Sequence, residues 1–138
     1  MITLKELLNG VNFNLLPKDH KNNILDLLER INKVRQAYAK PMTVTSGYRT
    51  MADHLRIYKE LAVKRKVVYD ESKVPMGSLH LKGAAVDISD PDGKLFDWVE
   101  QNVKLMEQIG LWMETKDDQK RVHFQVFPPK SGNRFFKP

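Results

Sequence analysis

Apolar residues between Lys18 and Tyr38 recur at three- and four-residue steps: Ile24, Leu27, Leu28, Ile31, Val34 and Tyr38 fall on one stripe. That period predicts a long amphipathic helix with one buried face. Pro17 suits its first turn, and Pro41 follows its end. A shorter apolar cluster predicts a helix over Leu4 to Asn9. Met51 to Lys66 repeats the helical period with Leu55, Ile57, Tyr58, Leu61 and Ala62 inward. Lys94 to Ile109 does so with Leu95, Phe96, Val99, Val103 and Met106, and Gly110 ends that helix.

Elsewhere the period shortens to two. Met42 to Thr45 reads as a short strand, with β-branched Thr43, Val44 and Thr45 before a Ser46-Gly47 turn. Ala84 to Ser89 is a second strand, closed by the turn Asp90-Pro91-Asp92-Gly93. Leu111 to Glu114 and Arg121 to Phe127 read as two strands joined by polar residues 115–120, a hairpin pattern. Residues 67–79, with Pro75 and Gly77, read as an irregular loop that covers a site, and residues 128–138 as an extended tail. Helices first and strands gathered toward the C-terminal end predict an α+β fold. Its sheet is expected to be small and mostly antiparallel, with the helices on one side.

A chain of 138 residues supports one domain and one core, so residues 1–138 are read as a single unit. There is no cysteine, which excludes disulfides and thiolate metal sites; any metal must be held by His, Asp or Glu. The net charge of +6 favours anionic neighbours such as a cell-wall polymer or nucleic acid. No nucleic-acid motif accompanies it, and specific nucleic-acid binding is not expected. The first sixteen residues break their apolar positions with Lys5, Glu6, Asn9 and Asn12. Neither a signal peptide nor a membrane-inserted segment is therefore expected, and the chain reads as a soluble monomer made in the cytoplasm.

Strand alternation isolates the candidate chemistry. Ala84, Val86 and Ile88 share one strand face; Ala85, Asp87 and Ser89 share the other. The second face is small and polar with a carboxylate at its centre, as the floor of a site would be. Gly83 lets the chain bend so that His80 and Asp87 converge. His123 stands opposite the larger apolar set Val122, Phe124 and Val126. Two imidazoles and a carboxylate make three N/O ligands, and three protein ligands with an open position is the pattern of a catalytic zinc site. Plainer readings stand beside this one. A strand histidine is more often hydrogen-bonded structure, and Asp87 alone would serve to cap the Asp90 turn or pair with a lysine. His20 and His54 have polar neighbours and read as exposed. Trp98 fits a helix face, Tyr48 the core, and Trp112 either groove or core.

Ser78-x-His80-x-x-Gly83-x-Ala85-x-Asp87, followed by His123, resembles the signature of the LAS metallopeptidases. These include the lysostaphin-type peptidases, the zinc D-Ala-D-Ala carboxypeptidases and the hedgehog signalling domains. The resemblance is nearest to the carboxypeptidase branch with its phage and prophage endolysin-like enzymes. Ser46-Gly47-Tyr48-Arg49 and Val122-His123-Phe124-Gln125 resemble two further stretches of that pattern. The resemblance implies a hedgehog/DD-peptidase-like fold, with Zn2+ held by His80, Asp87 and His123. It implies Arg49 as the holder of a substrate carbonyl or its developing oxyanion, and Ser78 as a substrate-binding group. The implied substrate is a peptidoglycan stem peptide or cross-link, cut by carboxypeptidase or endopeptidase action at the cell wall, as by a phage or prophage endolysin.

The chain departs from that pattern at one position. The branch commonly carries a Glu or Asp three residues before its last histidine as general base, and here that residue is Lys120. Glu114 is the leading replacement, because a hairpin centred between residues 118 and 119 would set it beside His123; Asp117 and Asp118 follow. The missing acid also leaves open a catalytically weak or inactive zinc-containing binding module on the same fold.

Overall fold

The stripe on residues 18–38 forms α2 (Lys18–Tyr38), which lays Ile24, Leu27, Ile31 and Val34 against the core. In this computed structural model, which describes residues 1–138, that helix is accompanied by four shorter ones. They are α1 (Leu4–Leu8), α3 (Met51–Lys64), α4 (Lys94–Gln101) and α5 (Val103–Ile109). Thr3 and Glu6 form a reciprocal capping box at the start of α1, satisfying donors that the first turn leaves unpaired. Five strands make one sheet: β1 (Val44–Ser46), β2 (Ala85–Ser89), β3 (Trp112–Glu114), β4 (Arg121–Gln125) and β5 (Phe135–Phe136). Their order is β1-β2-β4-β3-β5, with every pairing antiparallel except β3 with β5. The fold is α+β, as the order of periods predicts.

The two sheet faces divide as alternation requires. Val86 and Ile88 of β2, Met113 of β3, and Val122 and Phe124 of β4 enter a core completed by α1, α2, α4 and α5. Asp87, Glu114, Arg121, His123 and Gln125 belong to the other face. That core includes no residue of α3. Instead, Ile57, Tyr58 and Leu61 of α3 line a cleft above the polar face. The helices are thus on one side with this single exception, and the exception is what encloses the site.

Several expectations change in detail; β1 begins at Val44 rather than Met42 and includes Ser46, and β4 ends at Gln125 rather than Phe127. The helix over residues 94–109 is broken at Asn102 (φ −116°, ψ 31°). The Asn102 Nδ2–H donates to the Trp98 carbonyl at 2.8 Å, a local bond that competes with continuous helix. The third helix stops at Lys64 rather than Lys66, whose φ of 56° is left-handed. The tail is not merely extended. Phe135–Phe136 adds a parallel edge strand beside β3, through Met113 N–H to Arg134 O at 2.9 Å and Thr115 N–H to Phe136 O at 2.8 Å. Arg134 anchors it, with its guanidinium 4.3 Å from the Trp112 ring centre. That contact accounts for Trp112, while Trp98 stacks at a tilt on Tyr38.

Gly47 is where the chain permits no side chain. A Cβ there would stand 2.4 Å from the Leu7 carbonyl oxygen, which also accepts the Tyr48 N–H at 2.8 Å. The backbone of the turn after β1 is pressed onto the end of α1, leaving room for hydrogen only. Gly47→Ala is expected to destabilise the protein by roughly 2–3 kcal/mol, the scale of overpacking against an unyielding neighbour. Gly77→Ala, at a position with open space around it, should stay within about 0.5 kcal/mol of the parent in the same urea titration.

Candidate metal centre

Asp87 and His123 are direct cross-strand partners, because β2 and β4 pair Ala85 with Gln125, Asp87 with His123 and Ser89 with Arg121. Directly opposed residues on one face meet side chain to side chain. His80 arrives from a different element, a single 3-10 turn over Leu79–Lys82 that ends at Gly83 in the left-handed region (φ 73°). A side chain at Gly83 would also strike Ile24 Cγ1 at 2.4 Å. Two contacts seat this turn against the segment after β1. The Arg49 N–H donates to the His80 carbonyl at 3.0 Å, and His80 Nδ1 lies 2.9 Å from the Gly47 carbonyl.

The second of these contacts decides the histidine's chemistry. A carbonyl only accepts, so His80 Nδ1 carries hydrogen and the neutral ring turns a bare Nε2 inward. His123 does the same by the opposite nitrogen. Its Nε2 lies 2.8 Å from Gln125 Oε1, and Gln125 Nε2–H donates to the Phe127 carbonyl at 2.8 Å, which orients the amide with its oxygen toward the ring. His123 therefore presents Nδ1. The inward atoms meet at Asp87 Oδ1, 3.3 Å from His80 Nε2 and 2.9 Å from His123 Nδ1. All three ligand atoms lie within 4.8 Å of one another. Two lone pairs and an anionic oxygen facing one another are reconciled by a proton or by a metal ion between them. Ligands about 2.0–2.1 Å from a tetrahedral ion stand roughly 3.3 Å apart, so the set fits a small divalent ion without large movement. His80, Asp87 and His123 could thus hold a metal ion, and the outward nitrogen of each histidine already has the partner that such ligands need.

The carboxylate is only 4% exposed, so its charge must be met inside the protein. Its other oxygen does this. Arg49 Nη2 lies 3.3 Å and Arg121 Nε 3.5 Å from Asp87 Oδ2. Burial alone would raise the Asp87 pKa; the nearby imidazoles outweigh it and hold the group well below the ordinary carboxylate range. His80 is pushed down by burial, against the pull of Asp87. His123 goes the other way: burial opposes its charged form, but the hydrogen bond and charge of Asp87, helped by Glu114, raise its pKa.

Around this centre the cleft is lined by Arg49, Ser78, Glu114, Gln119 and Arg121, with Tyr58 from α3. Arg49 is steadied by its Nε–H bond to Ser46 Oγ at 2.8 Å. Glu114 Oε1 stands 3.9 Å from His123 Nδ1. The β3–β4 register, Trp112 with Gln125 and Met113 with Phe124, brings it there when continued by one residue. Arg121 Nη2 lies 2.9 Å from the same oxygen, yet off the direction of a hydrogen bond, so this buried atom accepts none. The remaining acids stand outside the cleft. Asp117 accepts two bonds from Gln119 within the hairpin turn and reaches the cleft only through Arg121, whose Nη2 is 3.6 Å from its Oδ2; Asp118 is paired with Arg65 at the surface, 3.1 Å away. Lys120 is exposed, with φ 54° at the turn. A larger hollow of about 340 Å3 by Tyr38, Asp90 and Lys94 contains none of these groups; converging donors, not volume, mark the site.

Two histidines read as exposed are not. His54 is fully buried, held by Pro75 and Arg49, and His20 is partly buried, 3.1 Å from the Tyr48 hydroxyl. The roles of Arg121 and Gln125 were missed, although alternation along β4 sets both on the His123 face. No protein-family model matches the sequence, and no curated protein matches it.

Metal binding should be pH-dependent with a definite sign. A proton on His123 must leave before Nδ1 can bind an ion, and its pKa lies above the ordinary value near 6.5. Co2+ affinity should be full above that raised pKa and fall by about tenfold per pH unit below it. Titration of metal-free protein with Co2+ between pH 5 and 9, read by visible absorbance, checks this. His80→Ala should abolish the one-ion-per-chain end point; an unchanged end point would place the metal elsewhere.

Proposed function

We propose that the chain is a zinc-dependent peptidase of the LAS type that hydrolyses peptide bonds in peptidoglycan stem peptides or cross-links. The observation that carries this is the meeting of two imidazole lone pairs and one carboxylate oxygen at a buried point beneath an open cleft. The donor set, two nitrogens and one oxygen with no thiolate, is that of catalytic rather than structural zinc. The Ser78-to-Asp87 and His123 motif supports the same class.

Bound zinc would polarise the scissile carbonyl and lower the pKa of a water molecule. The protein's own groups supply the rest. Glu114, whose buried Oε1 has no hydrogen bond, takes a proton from the attacking water and returns it to the leaving amine. Arg49, a permanent charge with forked donors, steadies the oxygen on which negative charge develops. Ser78 lines the cleft as a substrate contact. Arg121 sets a positive charge among three carboxylates, Asp87, Glu114 and Asp117. The net charge of +6 favours residence near an anionic wall. A non-catalytic zinc-containing binding module is the second reading. It is favoured by the Arg121 contact at Glu114 and by Lys120 at the position where the resembled family carries an acid.

Zinc-loaded protein is expected to carry about one Zn2+ per chain and to release peptide fragments from purified peptidoglycan, followed by liquid chromatography and mass spectrometry. Glu114→Gln should keep the zinc and lower kcat by roughly 10²- to 10⁴-fold, the range for loss of a general base. Zinc binding without fragment release by the parent, or a Glu114→Gln variant as active as the parent, would favour the binding module.

A further inference from the structure

His54 is the one fully buried histidine outside the metal ligands, and its two nitrogens face two different groups. Nε2 lies 2.9 Å from the Pro75 carbonyl, and Nδ1 lies 3.3 Å from Arg49 Nη1. The carbonyl accepts, so Nε2 donates. The guanidinium only donates, so Nδ1 accepts. Both contacts are satisfied by one species alone, the neutral ring with hydrogen on Nε2. A charged ring would turn an N–H toward a guanidinium.

Resting on the reading of the cleft as a peptidase site with Arg49 toward substrate, we infer that His54 is a positioning residue that sets the Arg49 guanidinium by accepting its Nη1–H. Pro75, in the segment between α3 and the His80 turn, holds the ring in the required tautomer. Arg49 is then gripped at all three nitrogens: Nε by Ser46 Oγ, Nη1 by His54 and Nη2 by Asp87. A fork held at three points loses little freedom when substrate arrives, which is the condition for an oriented oxyanion donor. The edge of the Tyr58 ring, 4.9 Å away one helical turn on, packs the imidazole in place. Burial lowers the His54 pKa, with the Pro75 bond working against it and the Arg49 charge adding to it, consistent with a neutral ring. The segment 67–79 thereby gains a defined link to the site: its Pro75 carbonyl chooses the face that His54 shows to Arg49.

Two variants separate the two nitrogens. Asparagine places an oxygen near the position of Nδ1 and keeps the acceptor for Arg49. Glutamine places an amide nitrogen near Nε2 and keeps only the donor to Pro75. In 15N spectra of the zinc-loaded full chain, wild-type His54 should show the neutral Nε2–H pattern at pH 7, and Arg49 should show separate, slowly exchanging Nη signals. Those signals should collapse in His54→Gln and persist in His54→Asn. With peptidoglycan fragments, His54→Gln is expected to lower kcat/KM tenfold or more at unchanged zinc content, and His54→Asn by less than threefold. A charged or Nδ1–H ring in the wild type would overturn the inference. So would Arg49 signals in His54→Gln that match the wild type, or equal losses of activity and Tm in both variants. A wild type without peptidase activity would overturn the proposed function instead, while the spectra still decide the His54–Arg49 link.

Discussion

The buried carboxylate of Asp87 is the constraint around which this protein is arranged. An ionised side chain 5% exposed is tolerated only when both oxygens are met. Oδ1 meets two imidazoles and Oδ2 meets two guanidinium groups, so each oxygen has its own class of partner. The division has a chemical consequence. The arginines fix the carboxylate from behind, while the histidines leave the forward oxygen facing lone pairs that only a proton or a metal ion can reconcile.

The four partners come from separated parts of the chain, and backbone contacts bring them together. The Gly47 carbonyl accepts the His80 ring N–H, and the Arg49 N–H binds the His80 carbonyl. One short segment after β1 therefore sets both a candidate metal ligand and the arginine beside it. That segment is in turn pressed onto the end of α1 at Leu7, so the first helix, distant from the cleft, bears on the position of His80. Helix α3, absent from the main core, has the complementary task of roofing the polar face with Ile57, Tyr58 and Leu61 and of delivering His54 behind Arg49.

Much of this was legible from periodicity. The bounds of α2 agree with its apolar stripe, and the alternation of Val122, Phe124 and Val126 with His123 and Gln125 gave the correct face for the histidine. The hairpin count sets Glu114 near His123, and the β3–β4 register agrees. What escaped was carried by particular side-chain partners rather than by a repeat. The Asn102 break depends on a side chain reaching back to Trp98, and the fifth strand depends on Arg134 finding Trp112 and Leu111. His54 looked exposed because its neighbours in the chain are polar; its burial comes from Pro75, twenty-one residues away, and from Arg49 across the N-terminus of α3.

The amino-acid sequence by itself determined the faces: which residues of each helix and strand point inward, and hence that Asp87 and His123 share a polar face. Side-chain direction follows from a local repeat of 3.6 or 2.0 residues, and local repeats are written in order along the chain. Only the tertiary structure decided the protonation pattern and reach of the site. It chose Nε2 of His80 and Nδ1 of His123 as the inward atoms, left Glu114 Oε1 without a hydrogen bond, drew Asp118 away to Arg65, and put Arg121 among three carboxylates. Each of those outcomes turns on which carbonyl, amide or guanidinium arrives from a distant segment. A hydrogen bond's direction is fixed by its partner, and the partner is known only once the chain has folded.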